Sequence, residues 1–292
     1  MNVRKHAFDV LCQVLIKGQY SNLALRKIDD LNEKDQALLS EIVYGTIQNY
    51  DYLTYQWQRF VKKMPKKEVR CLLNMSIYQL LFLDKIPDYA VLDEAIMIAK
   101  TFNKGSYKGL CNAVLRQFIK EREIVVELDD PEQSMAIKTS HPLWLIKMWS
   151  SHYDQATAFA ICEYDNKRKA TALRINTSMI NKQSIFDDER FHRGKLAESA
   201  VYYDGNTHYF KKHLVSVQDE ASQYVSIFAE PKKNDRVLDM CSAPGTKAAH
   251  MAMITNDQGY IDAIDIYKHR VDLIITTCEN LNLKSVHTHV LD

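Results

Sequence analysis

The stretch RVLDMCSAPGTKAAHMA, Arg236 to Ala252, constrains the fold more than any other part of the chain. Val237–Met240 is a short apolar run with strand character, Cys241–Thr246 breaks it with a proline and a glycine, and Lys247–Ile254 resumes at helical spacing. A strand that turns directly into a helix is the opening of a βαβ unit, and the sheet of such a unit is parallel. The first backbone N–H groups of the helix lack partners of their own, so an anionic group belongs at the turn.

Two later strands bring carboxylates to the same sheet edge. GYIDAID ends in Asp265, twenty positions after Gly245, which is the spacing of an acidic residue that bonds ribose hydroxyls in dinucleotide-type folds. SVHTHVLD ends in Asp292, where a carboxylate can accept a bond from an adenine amino group. A lone aspartate at a strand end is ordinarily a cap; the combination of two with an anion-seeking turn carries the weight. A pyrophosphate calls for G-x-G-x-x-G, and this turn holds one glycine. An adenosine bearing a carboxylate, S-adenosylmethionine, fits better. A nicotinamide-dependent oxidoreductase stays open as a competing reading, since it would use the same turn and Asp265.

The rest of the chain has a different texture. Up to about residue 120 apolar residues recur at helical spacing, as in Leu38, Leu39, Ile42, Val43 and Ile47, or Val69, Leu72, Leu73, Ile77 and Leu80. Ser21 and Asn32 read as N-caps, and Pro65 and Pro87 interrupt the pattern. The helical bundle ends near residue 125, ELDDPEQS forms a boundary, and HPLWLIKMWSSHY resumes as a helix whose Trp144 and Trp149 read as core. From Lys169, the runs ATALRIN, AVYYDG and THYFKK read as strands, followed by a helix over Glu220–Ala229. At 292 residues, two or three domains are expected.

Charge and cysteines narrow the function classes. The net charge is +1, so nucleic-acid contact must come from local clustering, and RFVKKMPKKEVR supplies it with Arg59, Lys62, Lys63, Lys66, Lys67 and Arg70. A solvated connection between helices explains that cluster equally well. Cys12, Cys71, Cys111, Cys162, Cys241 and Cys278 form no Cys-x-x-Cys pair, so no metal site is expected, and His208, His213, His287 and His289 show no metal or triad spacing. No apolar run is long enough for a membrane span, and the N-terminus has no secretory pattern, which places the protein in the cytoplasm.

VLDMCSAPGTKAAHMA resembles the cofactor loop of the RNA cytosine-C5 methyltransferases, whose usual form is Asp-x-Cys-Ala-Ala-Pro-Gly-Gly-Lys-Thr. VQDEASQ, Val217 to Gln223, resembles the segment before it. DQALLSEIVYGTIQ, YAVLDEAIMIAK and GLCNAVLRQF are similar to helices of the NusB-type RNA-binding domain, and the resemblance extends over essentially all 292 residues. It implies a multidomain chain: an all-α NusB-like helical bundle (1–128), a small α+β linker domain (129–212) and the start of an α/β Rossmann-like, S-adenosylmethionine-dependent methyltransferase fold (213–292). It also implies 16S (small-subunit) ribosomal RNA as partner, with no DNA, no membrane and a monomeric protein. A non-enzymatic RNA-binding protein of antitermination type, needing only the helical domain, is the alternative.

Carried over by position, the cofactor loop falls on Cys241, Ser242, Ala243, Pro244, Gly245, Thr246 and Lys247, with Asp265 for the ribose and Asp292 on the adenine side. Thr246 stands in place of the second glycine and would weaken binding if that position needs a positive φ. Asp239 and Arg270 also match family positions and read as structural. In the family a cysteine thiolate adds to carbon 6 of cytosine so that carbon 5 can attack the methyl group, and a second cysteine assists release. The Asp-Ala-Pro-Cys and Thr-Cys-Ser segments that carry them are expected beyond Asp292. The chain is therefore expected to hold no catalytic residue and to be inactive alone. Thr277–Cys278 imitates half of one motif but lies on a helix, and Cys241 reads as a pocket contact.

Overall fold

The computed structural model describes residues 3–28, 30–167, 169–177, 179–203 and 214–292. The chain divides into two compact units, Met1–Lys167 and Arg168–Asp292. The THYFKK strand expected from the sequence, with His208 and His213, lies outside the described residues. Among those described, no helix is long and apolar enough to cross a membrane.

The first unit is helical: α1 (Val3–Leu15), α2 (Ser21–Arg26), α3 (Glu33–Gln48), α4 (Tyr50–Gln58), α5 (Lys67–Phe82), α6 (Asp88–Thr101), α7 (Lys108–Glu121), α8 (Pro131–Thr139), α9 (Leu143–His152) and α10 (Gln155–Asn166). Helix α5 is buried from Val69 through Gln79 apart from Arg70, as expected of a central helix wrapped by others. Its polar residues are satisfied internally. Asn74 accepts from the indole Nε1 of the fully buried Trp57 at 2.6 Å, and Ser76 donates to the Leu72 carbonyl at 2.8 Å. Helix α3 meets α5 at Gly45, where an added Cβ would fall inside the ring of Tyr78, whose hydroxyl donates to Glu41 at 2.7 Å.

Asn32 caps α3 by accepting from the Asp35 N–H at 2.9 Å. Ser21 does not cap α2. Tyr20 occupies the cap position without a side-chain bond, and Ser21 is already in the first turn. Helices α8–α10 share a small core of Met135, Ala136, Ile146 and Cys162 with Trp149 packed against it. Trp144 departs from expectation: it is 66% exposed. The ten-residue α9 buries only Ile146 fully, and Trp144, in its first turn, faces away from that contact.

The second unit holds two sheets. The antiparallel sheet has the order β2-β3-β1-β4, from β1 (Thr171–Ile175), β2 (Phe191–Arg193), β3 (Ala200–Tyr203) and β4 (Val215–Val217), with a short α11 (Lys182–Phe186) after β1 and α12 (Glu220–Phe228) after β4. The parallel sheet runs β5-β6-β7, from β5 (Arg236–Asp239), β6 (Tyr260–Asp265) and β7 (Val286–Val290), linked by α13 (Thr246–Ile254) and α14 (Lys268–Asn280).

Both linking helices cover one face, where Ala248, Met251, Ala252, Ile274 and Cys278 pack on Val237, Ile261, Ala263 and Val286. The opposite face is open: Leu238 is 57% and Met240 69% exposed. On it His287 stacks on Tyr260 with centroids 4.0 Å apart, and His289 Nε2 lies 2.7 Å from Asp262.

Candidate cofactor site

The turn between β5 and α13 is held from three sides. From below, the Ser242 N–H donates to the Ile264 carbonyl at 2.9 Å, and the Gly245 N–H closes the turn on the Ser242 carbonyl at 2.7 Å. From α14, the Thr277 hydroxyl donates to the Pro244 carbonyl at 2.8 Å, and Ile274 fills the space a Gly245 side chain would need. From β1, the Arg174 guanidinium donates to the Thr246 carbonyl at 2.7 Å.

Gly245 is the N-cap of α13 with φ 92° and ψ 8°, a left-handed conformation that glycine adopts without steric cost. A Cβ there would stand 2.9 Å from Ile274 Cγ2 and 3.1 Å from its backbone Cα. Thr246 is the first helical residue, and its φ is not positive. The left-handed requirement thus falls on Gly245 alone, and a side chain at 246 meets no backbone penalty. Helix α13 starts one residue earlier than the sequence implied and has no side-chain cap. Its first-turn amides are left without intrahelical acceptors.

Asp265 ends β6 beside this turn. It is 2% exposed, and its Oδ2 accepts from the Ala243 N–H at 3.3 Å. Oδ1 is buried with no hydrogen bond and lies 3.6 Å from the Arg270 guanidinium. Ser242 Oγ and Asp239 Oδ2 are likewise buried without a hydrogen-bond partner. A carboxylate oxygen, a hydroxyl and a row of helix-start amides with unused hydrogen-bonding capacity therefore converge on one turn. That donor and acceptor set fits a ligand with hydroxyl groups at one end and a carboxylate at the other.

The structure brings Ser242, Ala243, Pro244, Gly245, Thr246 and Asp265 together; Cys241 and Lys247 are exposed at either end of the turn. Asp292 is exposed and follows Leu291, whose N–H reaches the Asp265 carbonyl at 3.3 Å. Arg270 pairs with Asp265 rather than standing apart from the site. Thr277, Ile274 and Arg174 carry no local sequence signal that would have marked them.

Behind the turn sits a buried cation. Arg174 is 1% exposed, its Nη1 also donates to Gln218, and its Nε and Nη2 have no hydrogen-bond partner among the described residues. Burial lowers its pKa to about 10. Burial, and after it the Arg174 charge, lowers the His250 pKa to about 3, so that imidazole is neutral near pH 7.

Four of the six cysteines are poorly placed for thiolate chemistry, while the hydrogen bond with Cys12 lowers the pKa of Cys71, which is buried. Burial pushes Cys111 up to about 12 and Cys278 up to about 11, and raises Cys162 as well. Cys12 is raised first by its hydrogen bond with Cys71 and then by burial. Cys241 is the exposed one, in the turn itself.

Residues 1–120 match the NusB family, 141–188 the RsmF/B-like methyltransferase ferredoxin-like domain, and 226–292 the family described as 16S rRNA methyltransferase RsmB/F. The chain is 35% identical to the probable ribosomal RNA small subunit methyltransferase B of Bacillus subtilis (strain 168), covering 100% of this chain and 68% of that protein. It is 29% identical to the ribosomal RNA small subunit methyltransferase B of Proteus mirabilis (strain HI4320), over 99% and 70% of the two lengths. The crystal structure of PH0851 shares the fold, with a TM-score of 0.76 at 20% identity over 99% of this chain and 69% of that one. The helical NusB-like region, the ferredoxin-like domain and the α/β methyltransferase-like region agree with the fold class expected from the sequence.

Proposed function

The chain belongs to the ribosomal RNA small subunit methyltransferase B family, and from that premise we propose that the turn at Cys241–Lys247 binds S-adenosylmethionine for methylation of carbon 5 of a cytosine in 16S ribosomal RNA. The observation that carries the cofactor reading is the buried Asp265 carboxylate, with Oδ1 free of hydrogen bonds, beside the uncapped start of α13.

In this reading Asp265 accepts from the ribose hydroxyls, with the Arg270 guanidinium beside it as counter-charge. The amides at the start of α13 and the Lys247 charge receive the carboxylate of the amino-acid moiety. Asp292 takes the adenine side, and Cys241, Ser242, Ala243, Pro244, Gly245 and Thr246 form the wall between. The cofactor supplies an electrophilic methyl group on sulfonium. The domains divide at 128 and 212, with RNA held by the NusB-like part.

Carbon 5 of cytosine is a weak nucleophile until a thiolate adds at carbon 6, giving a covalent cysteine–cytosine intermediate. We place that thiolate outside the six cysteines of these 292 residues. Cys111, Cys162 and Cys278 are buried and held protonated, Cys12 is raised, Cys71 is lowered by its bond with Cys12 but is buried out of reach of a base, and Cys241 is in the cofactor turn. On this basis the 292-residue chain binds the cofactor but does not complete transfer.

Two measurements on one preparation test this. Calorimetric titration with S-adenosylmethionine should show binding that Asp265→Asn weakens. Transfer of labelled methyl to unmodified small-subunit ribosomal RNA should be absent, with the Bacillus subtilis relative as positive control. No cofactor binding would sink the site; transfer by the 292-residue chain would place the nucleophile among its own cysteines.

A further inference from the structure

The basic run between α4 and α5 has no part in that chemistry, yet it is built in a particular way. Its two arginines are committed: Arg59 Nη2 donates to the Arg122 carbonyl at 2.6 Å and lies 3.8 Å from Glu121, and Arg70 donates to the Pro65 carbonyl at 2.9 Å. The four lysines are not. Lys62, Lys63, Lys66 and Lys67 are all exposed, and none of their side chains makes a hydrogen bond or ion pair among the described residues. Lys66 and Lys67 sit at the N-cap and first position of the sixteen-residue α5, where the helix dipole disfavours cations, and Glu68 is the only acidic residue of that turn. The positive potential of the lysines and of the helix end therefore adds.

Next to the lysines is a cleft of about 400 Å³, lined among others by Tyr55, Arg59, Lys62, Met64 and Ile124. This is the volume of a small-ligand site. Its lining combines aromatic and apolar side chains with cationic ones, and the Arg59 Nε in it is buried with no hydrogen-bond partner among the described residues. A flat base against the apolar side chains with its phosphate toward the cations satisfies both. An acidic peptide would meet the lysines but leave the aromatic slot unused.

We propose that this cleft and its lysine rim form a binding site for single-stranded RNA, one base seated against Tyr55 and Met64 and the flanking phosphates on Lys62, Lys63, Lys66 and Lys67. The proposal rests on ribosomal RNA being the substrate and adds the surface that grips it. Stacking on an aromatic within a basic groove tolerates any base, so the site contributes affinity and register rather than sequence choice.

The test is equilibrium binding of a fluorescently labelled single-stranded RNA of about 12 nucleotides to the 292-residue chain, across a salt series. The fourfold variant Lys62→Ala, Lys63→Ala, Lys66→Ala, Lys67→Ala changes only exposed side chains. It should weaken binding about ten-fold or more at low salt and flatten the salt dependence by roughly 0.7 for each phosphate left without its lysine. Tyr55→Leu should weaken binding while leaving the salt slope in place. A control with the same charge change, Lys27→Ala, Lys34→Ala, Lys85→Ala and Lys104→Ala, should stay within about two-fold of the parent. Equal losses in cluster and control, or no loss in the cluster variant as for a surface that serves a protein partner, would overturn the proposal. Because the readout is RNA affinity, cluster-dependent binding by a chain that fails to bind S-adenosylmethionine would defeat the methyltransferase site and leave this one standing.

Discussion

Arg174 in β1 and Thr246 at the start of α13 are joined by a 2.7 Å hydrogen bond from guanidinium to carbonyl, across 72 positions of sequence. The bond ties the antiparallel sheet to the cofactor turn through a cation whose Nε and Nη2 are left unbonded. Replacing this buried charge by an apolar side chain removes its desolvation penalty but leaves Gln218 Oε1 and the Thr246 carbonyl without their donor, and the two effects oppose. Arg174→Met should therefore change unfolding free energy by only about 1 kcal/mol in either direction. The turn, freed of its anchor, should bind S-adenosylmethionine about ten-fold more weakly, equivalent to about 1.4 kcal/mol. Denaturant titration and calorimetry together decide it; a large stability loss with unchanged affinity would make the residue structural only.

Gly245→Ala meets two penalties at once, a left-handed backbone and a Cβ 3.1 Å from the Ile274 backbone. Neither can be relieved by rotating a side chain. The expected cost is on the order of 2–3 kcal/mol, with loss of cofactor binding, seen as a lowered thermal midpoint of the second unit. Thr246→Gly should cost far less, because position 246 is helical.

The neutral His250 makes the second unit acid-sensitive. Its pKa lies near 3 in the folded chain against a usual 6.5, so below pH 6.5 the unfolded chain takes up a proton that the folded chain refuses. Its contribution to stability is complete above pH 6.5 and is lost as pH falls toward 3, by up to about 1.4 kcal/mol per pH unit. Urea unfolding at pH 7, 6 and 5 should show that slope, and His250→Gln should flatten it. Identical slopes in the two proteins would refute the assignment.

Leu238 on β5 and Met240 just after it are exposed on the uncovered side of the parallel sheet. Leu238→Ser and Met240→Ser should each change stability by less than about 0.5 kcal/mol and reduce light scattering at high protein concentration. A cost of several kcal/mol would mean that this face is covered in solution.

The strand, turn and helix of the site are legible in the sequence because each is encoded within a few neighbouring residues: the apolar run at Val237, the glycine at 245, the carboxylate at 265. The clamps are not. Thr277 reaches Pro244 from 33 positions away and Arg174 reaches Thr246 from 72, and nothing in a local pattern distinguishes a threonine that holds a turn from one that caps a helix. Trp144 departs from its expected place for a related reason. Apolar character says that a side chain can be buried, while α9 is too short and too peripheral to bury more than one stripe.

Gly45 has a bearing on the lysines of the opposite helix. Sliding α3 by one residue would put Tyr44 or Thr46 beneath the ring of Tyr78, so the two helices can mesh in a single phase. Tyr78 and Lys67 are on the same rigid rod, about three turns apart. The compass direction of the lysines at one end of α5 is thus keyed by one absent carbon atom near the other.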